Sequence, residues 1–408
     1  MNILLINHYA GSPNAGMEFR PYYLSREWIK RGHKVLIIGA SYSHLRKQQP
    51  NCKNEVIDDI SYSWIKTNKY TGNGIGRIIS MCFFVSKLQF LYKKYISNFI
   101  PDVVIASSTY PLDIYPSLKI AKHFNAKLIY EVHDLWPLSP IELGGYSKKH
   151  PFIRIIQNAE NYAYKHVDAV ISILPKAETH MLRHGLKKGK FFHVPNGVVL
   201  SDWEYPQEIP EEHSSTLERL KTEGWFIMGF TGAHGIANSL ESIIDAVAGL
   251  ESEKVALVLV GSGQEKNNLI EHANNKNTNN IYFLPPVSKL SVPNILDKMD
   301  LLYIGLQKQS LFRFGISPNK LFDYMMSAKP IIQAIEAGND LVTEAECGIS
   351  VEPENVSKIA NAIIQLKKMP PEKRAKLGIN GRNYVLKHNT YNVLSEKFLG
   401  VLNNLIKK

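Results

Sequence analysis

The chain has 408 residues, of which 44% are hydrophobic and 21% charged, with a formal net charge of +11. That length accommodates two domains of about 200 residues, each with its own core, and the composition excludes a disordered chain. The charge is lopsided, 26 Lys and Arg against 13 Asp and Glu in residues 1–195 and 22 against 24 in residues 196–408, a confinement that argues against a nucleic-acid partner.

The N-terminus Met1-Asn-Ile-Leu-Leu-Ile has no basic leader region and reads as a first strand, not a signal peptide. Three widely spaced cysteines, Cys52, Cys82 and Cys347, show no metal-ligand spacing and suit a reduced, cytoplasmic setting. Apolar periodicity predicts strands at 2–7, 34–38, 60–65, 102–107, 127–132, 169–173 and 191–194 in the first half. Helices are expected at 17–31, 115–124, 152–166 and 176–184. Ile75–Pro101 is a long apolar segment punctuated by Arg77, Lys87, Lys93 and Lys94, a pattern that an anionic membrane surface attracts and that a buried helix with a basic edge also explains. No stretch approaches the roughly 18 uninterrupted apolar residues of a membrane span.

Pro195–Gly224, where the charge changes sign and prolines interrupt the pattern, reads as the domain boundary. Beyond it, strands are predicted at 226–231, 255–260, 281–284, 301–305, 330–334 and 348–351, with helices at 240–250, 265–276, 292–298, 319–328 and 356–368. Strands separated by helices imply parallel sheets with right-handed crossovers, hence an α/β protein of two doubly wound, Rossmann-like domains. The expected division is 1–200, 201–385, and a C-terminal helix over 386–408 packing back on the first domain.

Both Gly-containing loops, Tyr9–Gly16 and Phe230–Gly235, follow first strands, yet the second strands end Ile38-Gly-Ala-Ser and Val260-Gly-Ser-Gly-Gln without the acid that holds an NAD ribose. A dehydrogenase is therefore disfavoured, and the absence of a Walker motif excludes a P-loop kinase. Glu131-Val-His-Asp-Leu-Trp-Pro137 follows an apolar strand, so His133 and Asp134 project at its carboxyl end. Ser317-Pro-Asn-Lys-Leu-Phe-Asp323 reads as a helix start with Ser317 and Asn319 available to cap, and Lys320 and Asp323 on one face. Free N–H groups, a helix dipole, an ammonium and a carboxylate suit a phosphate beside a ribose diol. No Asp-x-Asp occurs, so a diphosphate would rely on protein cations, here Lys320 and Arg313, with Lys308 as the weaker choice. The Ser317-x-x-Lys320 pattern also fits penicillin-recognising acyltransferases, but Lys-Thr-Gly and Ser-Asp-Asn are missing.

Several segments together resemble glycosyltransferase family 4, retaining enzymes of the GT-B fold. They are Arg31-Gly-His-Lys-Val35, Val194-Pro-Asn-Gly-Val198, Val260-Gly-Ser-Gly263, Phe283-Leu-Pro-Pro-Val287 and Asp323-Tyr-Met-Met-Ser-Ala-Lys-Pro330. Trp136-Pro137, Gly232-Ala-His-Gly235 and Ser317–Lys320 are similar to N-acetylfucosaminyl transferases of bacterial O-antigen and capsule clusters. The resemblance implies two domains facing across a cleft, Asp323 on the nucleotide ribose, Val287 beside the base, Gly16 near phosphate, and His133 by the donor sugar. The first of the family's two glutamates falls at Gly315, and its Arg/Lys pair is replaced around Ala233, His234 and Asn238.

The combined expectation is a cytoplasmic, retaining glycosyltransferase peripheral to the inner face of the plasma membrane. It would use no metal or other cofactor. Its donor would be a nucleotide sugar, UDP-linked, and its acceptor a polyprenyl-diphosphate-linked saccharide. The expected catalytic residues are His133, Lys320 and Arg313; donor binding falls to Gly16, Gly232, Val287, Asn319 and Asp323, and Asp134 to the acceptor side or the sugar. A nucleotide-sugar epimerase on the same fold and a non-catalytic nucleotide-sugar scaffold are the alternatives, the latter favoured by the departures at Gly315, Ala233 and Asn238.

Overall fold

The computed structural model describes every residue except 17, 18, 73 and 408. The chain forms two compact units, one of residues 1–196, 314–316 and 391–408, the other of residues 197–313 and 317–390.

The first unit contains β1 (Asn2–Ile6), β2 (Lys34–Ala40), β3 (Asn54–Ile57), β4 (Ile60–Ile65), β5 (Val103–Ala106), β6 (Lys127–Val132), β7 (Ala169–Ser172) and β8 (Phe191–His193). Their order is β3-β4-β2-β1-β5-β6-β7-β8. All pairs are parallel except β3 with β4. Helices cover both faces, so β1, β5 and β7 read as unbroken apolar runs without alternation. The strand order reverses at β1, which lies between β2 and β5, and ligands of such sheets sit beyond the carboxyl ends of the strands there.

The hairpin strand β3 was not foreseen. Its turn is Asp58-Asp59, both in the left-handed region at φ 49° and 64°, a conformation that a two-residue hairpin requires and that sequence reasoning expects of glycine or asparagine. The first predicted helix begins on Met17, outside the described residues, and is helical over Phe19–Lys30. The terminal helix Tyr391–Ile406 belongs to this unit: Phe398 stacks edge-on against Trp28 at 5.0 Å, and Arg31 pairs with Glu396 at 2.9 Å.

Helix Ile75–Ile96 divides its apolar residues between two faces. Met81, Phe84, Leu88 and Tyr92 are buried, while Ile75, Ile79, Phe83 and Phe90 are exposed, Phe90 to 76%. Among the described residues it is the one helix long and apolar enough to cross a bilayer by length and composition, which corrects the reading that nothing here approaches a span. Arg77 and Lys87 break its apolar run in the sequence, and its buried face is committed to the core of the unit.

The second unit contains β9 (Phe226–Ala233), β10 (Val255–Ser262), β11 (Ile281–Leu284), β12 (Leu301–Gly305), β13 (Ile331–Ala334) and β14 (Gly348–Val351), in the order β11-β10-β9-β12-β13-β14 and wholly parallel. The order reverses between β9 and β12. Two corrections matter. The supposed linker holds a helix, Glu211–Thr222, with Leu217 and Leu220 buried. And β9 and β10 each run two residues past their predicted ends, pairing Gly232 with Gly261 and Ala233 with Ser262.

Candidate active site

The extended ends of β9 and β10 are built from glycines because their backbones come too close for side chains. A Cβ on Gly261 (φ 155°) would lie 1.9 Å from the Gly232 carbonyl oxygen, and one on Gly263 would lie 2.2 Å from that of His234. Lys266 holds this end together, its Nζ donating to the carbonyls of Gly261 at 3.0 Å and Leu284 at 3.2 Å. Gly261→Ala is expected to push the two strand ends apart, cost about 1–3 kcal/mol, and weaken nucleotide binding; a thermal melt with and without nucleotide checks both.

Lys320 reaches the same place from helix Asn319–Met326. Its ammonium donates to Asn238 Oδ1 at 2.9 Å and stands 4.1 Å from the centre of the Phe230 ring. A Cβ on Gly232 (φ 136°) would meet Lys320 Nζ at 3.3 Å, so the glycine keeps open the space that the ammonium faces. Burial pushes the Lys320 ammonium down to about 7. His234, next along, is fully buried between Phe230 and Phe283, and neither ring nitrogen has a hydrogen-bond partner among the protein groups. Burial first, then the charges of Lys266 and Lys320, push its imidazole down to about 4, so it is neutral at working pH. A buried ring with free nitrogens beside two ammonium groups is a ready partner for an anionic, hydrogen-bonding ligand.

The helix start itself corrects one expectation. Pro318, not Ser317 or Asn319, is the N-cap residue, and it makes no side-chain capping hydrogen bond; Asn319 is exposed as the first helical residue. Asp323 is not paired with Lys320 but with Lys289, at 2.5 Å, which arrives from the turn after β11. Val287 lies in that same turn, half-buried, between β11 and Lys289. Arg313 is exposed and donates to the Ser310 carbonyl of its own turn at 2.5 Å. Lys308, likewise on the surface, pairs with Glu336 at 2.8 Å.

In the first unit the strand ends of β1, β5 and β6 gather a polar centre of another kind. Glu131 on β6 is fully buried; its Oε1 accepts from Arg20 Nε at 2.9 Å and its Oε2 from Ser107 Oγ at 2.7 Å. Burial alone would raise this carboxyl, but the Arg20 guanidinium, then His133 and Ser107, outweigh it and hold it at about 2. Arg20 also donates to the carbonyls of Val194 and Pro195 at 2.9 and 2.5 Å. His133 Nε2 lies 2.9 Å from Ser107 Oγ and 3.5 Å from Glu131 Oε2.

Asp134 takes no part in this centre: its carboxylate accepts from Leu135 N and Ser139 Oγ, at 2.9 and 2.5 Å, tying down the start of helix Leu138–Glu142. Gly16 (φ 98°) donates its N–H to Ser12 O at 2.9 Å, so the loop itself uses the group expected to meet phosphate. The structure thus sets Lys320 beside Gly232 and His133 beside Ser107 and Glu131; Lys266, Lys289, Arg20 and Glu131 were not among the expected site residues. Asn238 and His234 stood out in the sequence only as departures from a family pattern.

The second domain thus brings the Lys266 and Lys320 ammonium groups and the Gly232 and Gly261 backbone to the carboxyl ends of β9 and β10. Residues 15–202 match Glycosyltransferase Family 4 and residues 218–384 match Glycosyl transferases group 1, so the chain carries both glycosyltransferase domains. It is 24% identical over 234 residues to the probable glycosyltransferase WbjE of Pseudomonas aeruginosa, a match covering 55% of each chain, so it spans about half the length of that relative. Among solved structures it is similar to sucrose-phosphate synthase from Thermosynechococcus elongatus, with a TM-score of 0.73 at 16% identity, covering 100% of this chain and 99% of the other. Anabaena HepE in complex with UDP-glucose gives 0.68 at 15% identity, covering 99% and 100%. WaaG, a glycosyltransferase involved in lipopolysaccharide biosynthesis, gives 0.67 at 14%, covering 98% and 99%. At these identities the structures speak for the shared GT-B fold.

Proposed function

We propose that the chain is a retaining, metal-independent glycosyltransferase that moves a sugar from a UDP-linked donor, N-acetylated or deoxy, to a polyprenyl-diphosphate-linked saccharide. The donor sits on the second domain and the acceptor on the basic first domain, in bacterial surface-polysaccharide assembly of the O-antigen or capsule kind. The observation that carries this reading is the Lys320 ammonium, held by Asn238 against the open face of Gly232. As the bond from the anomeric carbon to the diphosphate breaks, negative charge collects on the leaving oxygens, and an ammonium fixed at that point stabilises it. The acceptor hydroxyl attacks the same face of the sugar, forming the new carbon–oxygen bond and passing its proton to the departing diphosphate. His234 and the N-terminus of helix Asn319–Met326 add hydrogen bonds to the diphosphate, and Asp323 leaves Lys289 to take the ribose hydroxyls. His133, held by Ser107 and Glu131, is the first-domain residue that we assign to the donor sugar. The uridine choice draws support from the HepE complex with UDP-glucose, and the polysaccharide role from WaaG.

Thermal-shift screening against UDP, GDP, ADP and their sugars tests the donor: UDP compounds are expected to raise the melting temperature with concentration. A response to another nucleotide alone overturns the uridine choice, and binding with no transfer to any lipid-linked acceptor favours the scaffold. Treatment with EDTA is expected to leave turnover intact; loss that added divalent metal restores refutes metal-free transfer.

The exposed apolar face of helix Ile75–Ile96, beside Lys87 and Lys119, supports a peripheral seat on an anionic membrane at the inner face of the plasma membrane, in the cytoplasm. Phe90→Glu is expected to reduce co-flotation with phosphatidylglycerol vesicles, leaving donor binding unchanged. Equal flotation of both proteins removes that seat.

A further inference from the structure

We propose that Glu160, His180 and His184 form a zinc site in the first unit, away from the residues that serve the donor. His180 and His184 lie four residues apart, on and just after helix Glu178–Arg183, and so share one face. Glu160 meets them from helix Pro151–His166. One ligand atom from each lies within 4.8 Å of the other two, and His180 Nε2 is already 3.1 Å from Glu160 Oε1. Ligands on a tetrahedral zinc with arms of ~2.1 Å stand about 3.4 Å apart, so a small closure completes the set. Two imidazoles with one carboxylate are a donor set that suits zinc.

The polar groups around these side chains are placed to serve as outer partners of a bound ion. Gln157 Nε2 has two hydrogens but faces three acceptors, Glu160 Oε2 at 2.7 Å, Asn161 Oδ1 at 2.8 Å and His184 Nδ1 at 3.0 Å. His184 Nδ1 in turn lies 2.8 Å from Asn161 Oδ1. The Glu160 carboxylate beside them is 1% exposed. A divalent cation fits this polar set. The imidazoles and a Glu160 oxygen give it their lone pairs, Gln157 keeps Glu160 and Asn161 for its two hydrogens, and the Tyr164 hydroxyl, 3.0 Å from Glu160 Oε1, orients the carboxylate as an outer ligand. Water or Asn161 Oδ1 fills the fourth position.

The ion would staple two helices of the unit and fix His180, which stands edge-on to Phe314 at 5.5 Å, while the Phe314 carbonyl accepts from Lys176 N at 2.9 Å. Its role is structural, so it leaves the metal-free transfer proposed above untouched.

The test uses untagged full-length protein carrying Cys52→Ser and Cys82→Ser to remove the exposed thiols, stripped with chelator and titrated with zinc and, separately, cobalt. Expected are one tightly held zinc per chain, a cobalt d–d spectrum of tetrahedral intensity, and a rise in melting temperature on loading. His184→Gln, at a half-buried position that tolerates change, is expected to weaken zinc at least tenfold and abolish the rise, its circular dichroism unchanged; Glu160→Gln is expected to weaken zinc likewise. Stoichiometric binding that both variants retain, or no binding tighter than theirs in the parent, overturns the site. Loss of nucleotide binding with the zinc site intact would instead count against the donor reading alone.

Discussion

Replacing Lys320 by alanine is expected to cut turnover on the order of a hundredfold, far more than it weakens donor binding, because a contact made to charge that develops in the transition state is worth about 3 kcal/mol. The ammonium has one hydrogen-bond partner, Asn238, and a ring face behind it, so its remaining hydrogens are free for the diphosphate. Asn238→Ala is expected to act in the same direction more weakly, since it releases the ammonium without removing it. Turnover unchanged in Lys320→Ala sinks the assignment.

The depressed Lys320 adds a sign that can be read directly. Unliganded, the group titrates at about 7, pushed there by burial. A diphosphate favours the protonated form, so donor binding draws in a proton wherever the free enzyme has lost one. Affinity should therefore be flat below pH 7 and fall as pH rises above it. Above pH 7, calorimetry in buffers of different ionisation heat should therefore report net proton uptake on donor binding. Uptake that vanishes in Lys320→Met assigns it to this group; a binding enthalpy independent of buffer contradicts it. For the folded protein alone, the unfolded chain binds the extra proton between about 7 and the ordinary 10.5, so this group's penalty on stability is complete below 7 and relieved as pH rises.

The parallel sheets were legible because buried strands carry unbroken apolar runs, and helix Asn319–Met326 because Pro318 and Lys329-Pro330 bracket it. What escaped was long-range or locally disguised. Lys320 stands out in the sequence, but Asn238, its partner, is 82 residues away, and the β9–β12 pairing brings the two segments side by side. Asp323 could be placed on a helix face, yet its pairing with Lys289, rather than with Lys320 one turn earlier, depends on where the turn after β11 ends. Helix Glu211–Thr222 did carry its own signals: acids in its first turn, Arg219 and Lys221 in its last, Leu217 and Leu220 on one side. The neighbouring prolines and the polar run hid them. His180 and His184 likewise show metal-ligand spacing on sight, but Glu160 lies 20 residues from His180 and belongs to another helix.

Removing Arg20 is expected to be the most destabilising single change in the first unit, about 3–5 kcal/mol, or on the order of 10 °C in melting temperature, because it strands a fully buried carboxylate. Arg20 and Glu131 are 5% and 0% exposed, and the same guanidinium holds the Val194 and Pro195 carbonyls, so Arg20→Met loses the charge partner and the clamp on the chain after β8 together. Glu131→Gln separates the two roles. It keeps shape and some hydrogen bonding, and in the double variant with Arg20→Met no buried charge remains, so the double variant should be more stable than Arg20→Met alone. A double variant no better than the single one would mean that the clamp, not the charge pair, dominates. Acid provides the second check. Glu131 sits at about 2 when folded against an ordinary 4.5, so the unfolded chain binds the extra proton between those values and stability rises with pH across them. The contribution is full above about 4.5 and lost as pH falls toward 2. The native protein should therefore lose melting temperature faster than Glu131→Gln between pH 5 and pH 3, and parallel curves would show that this carboxylate is not held down by Arg20.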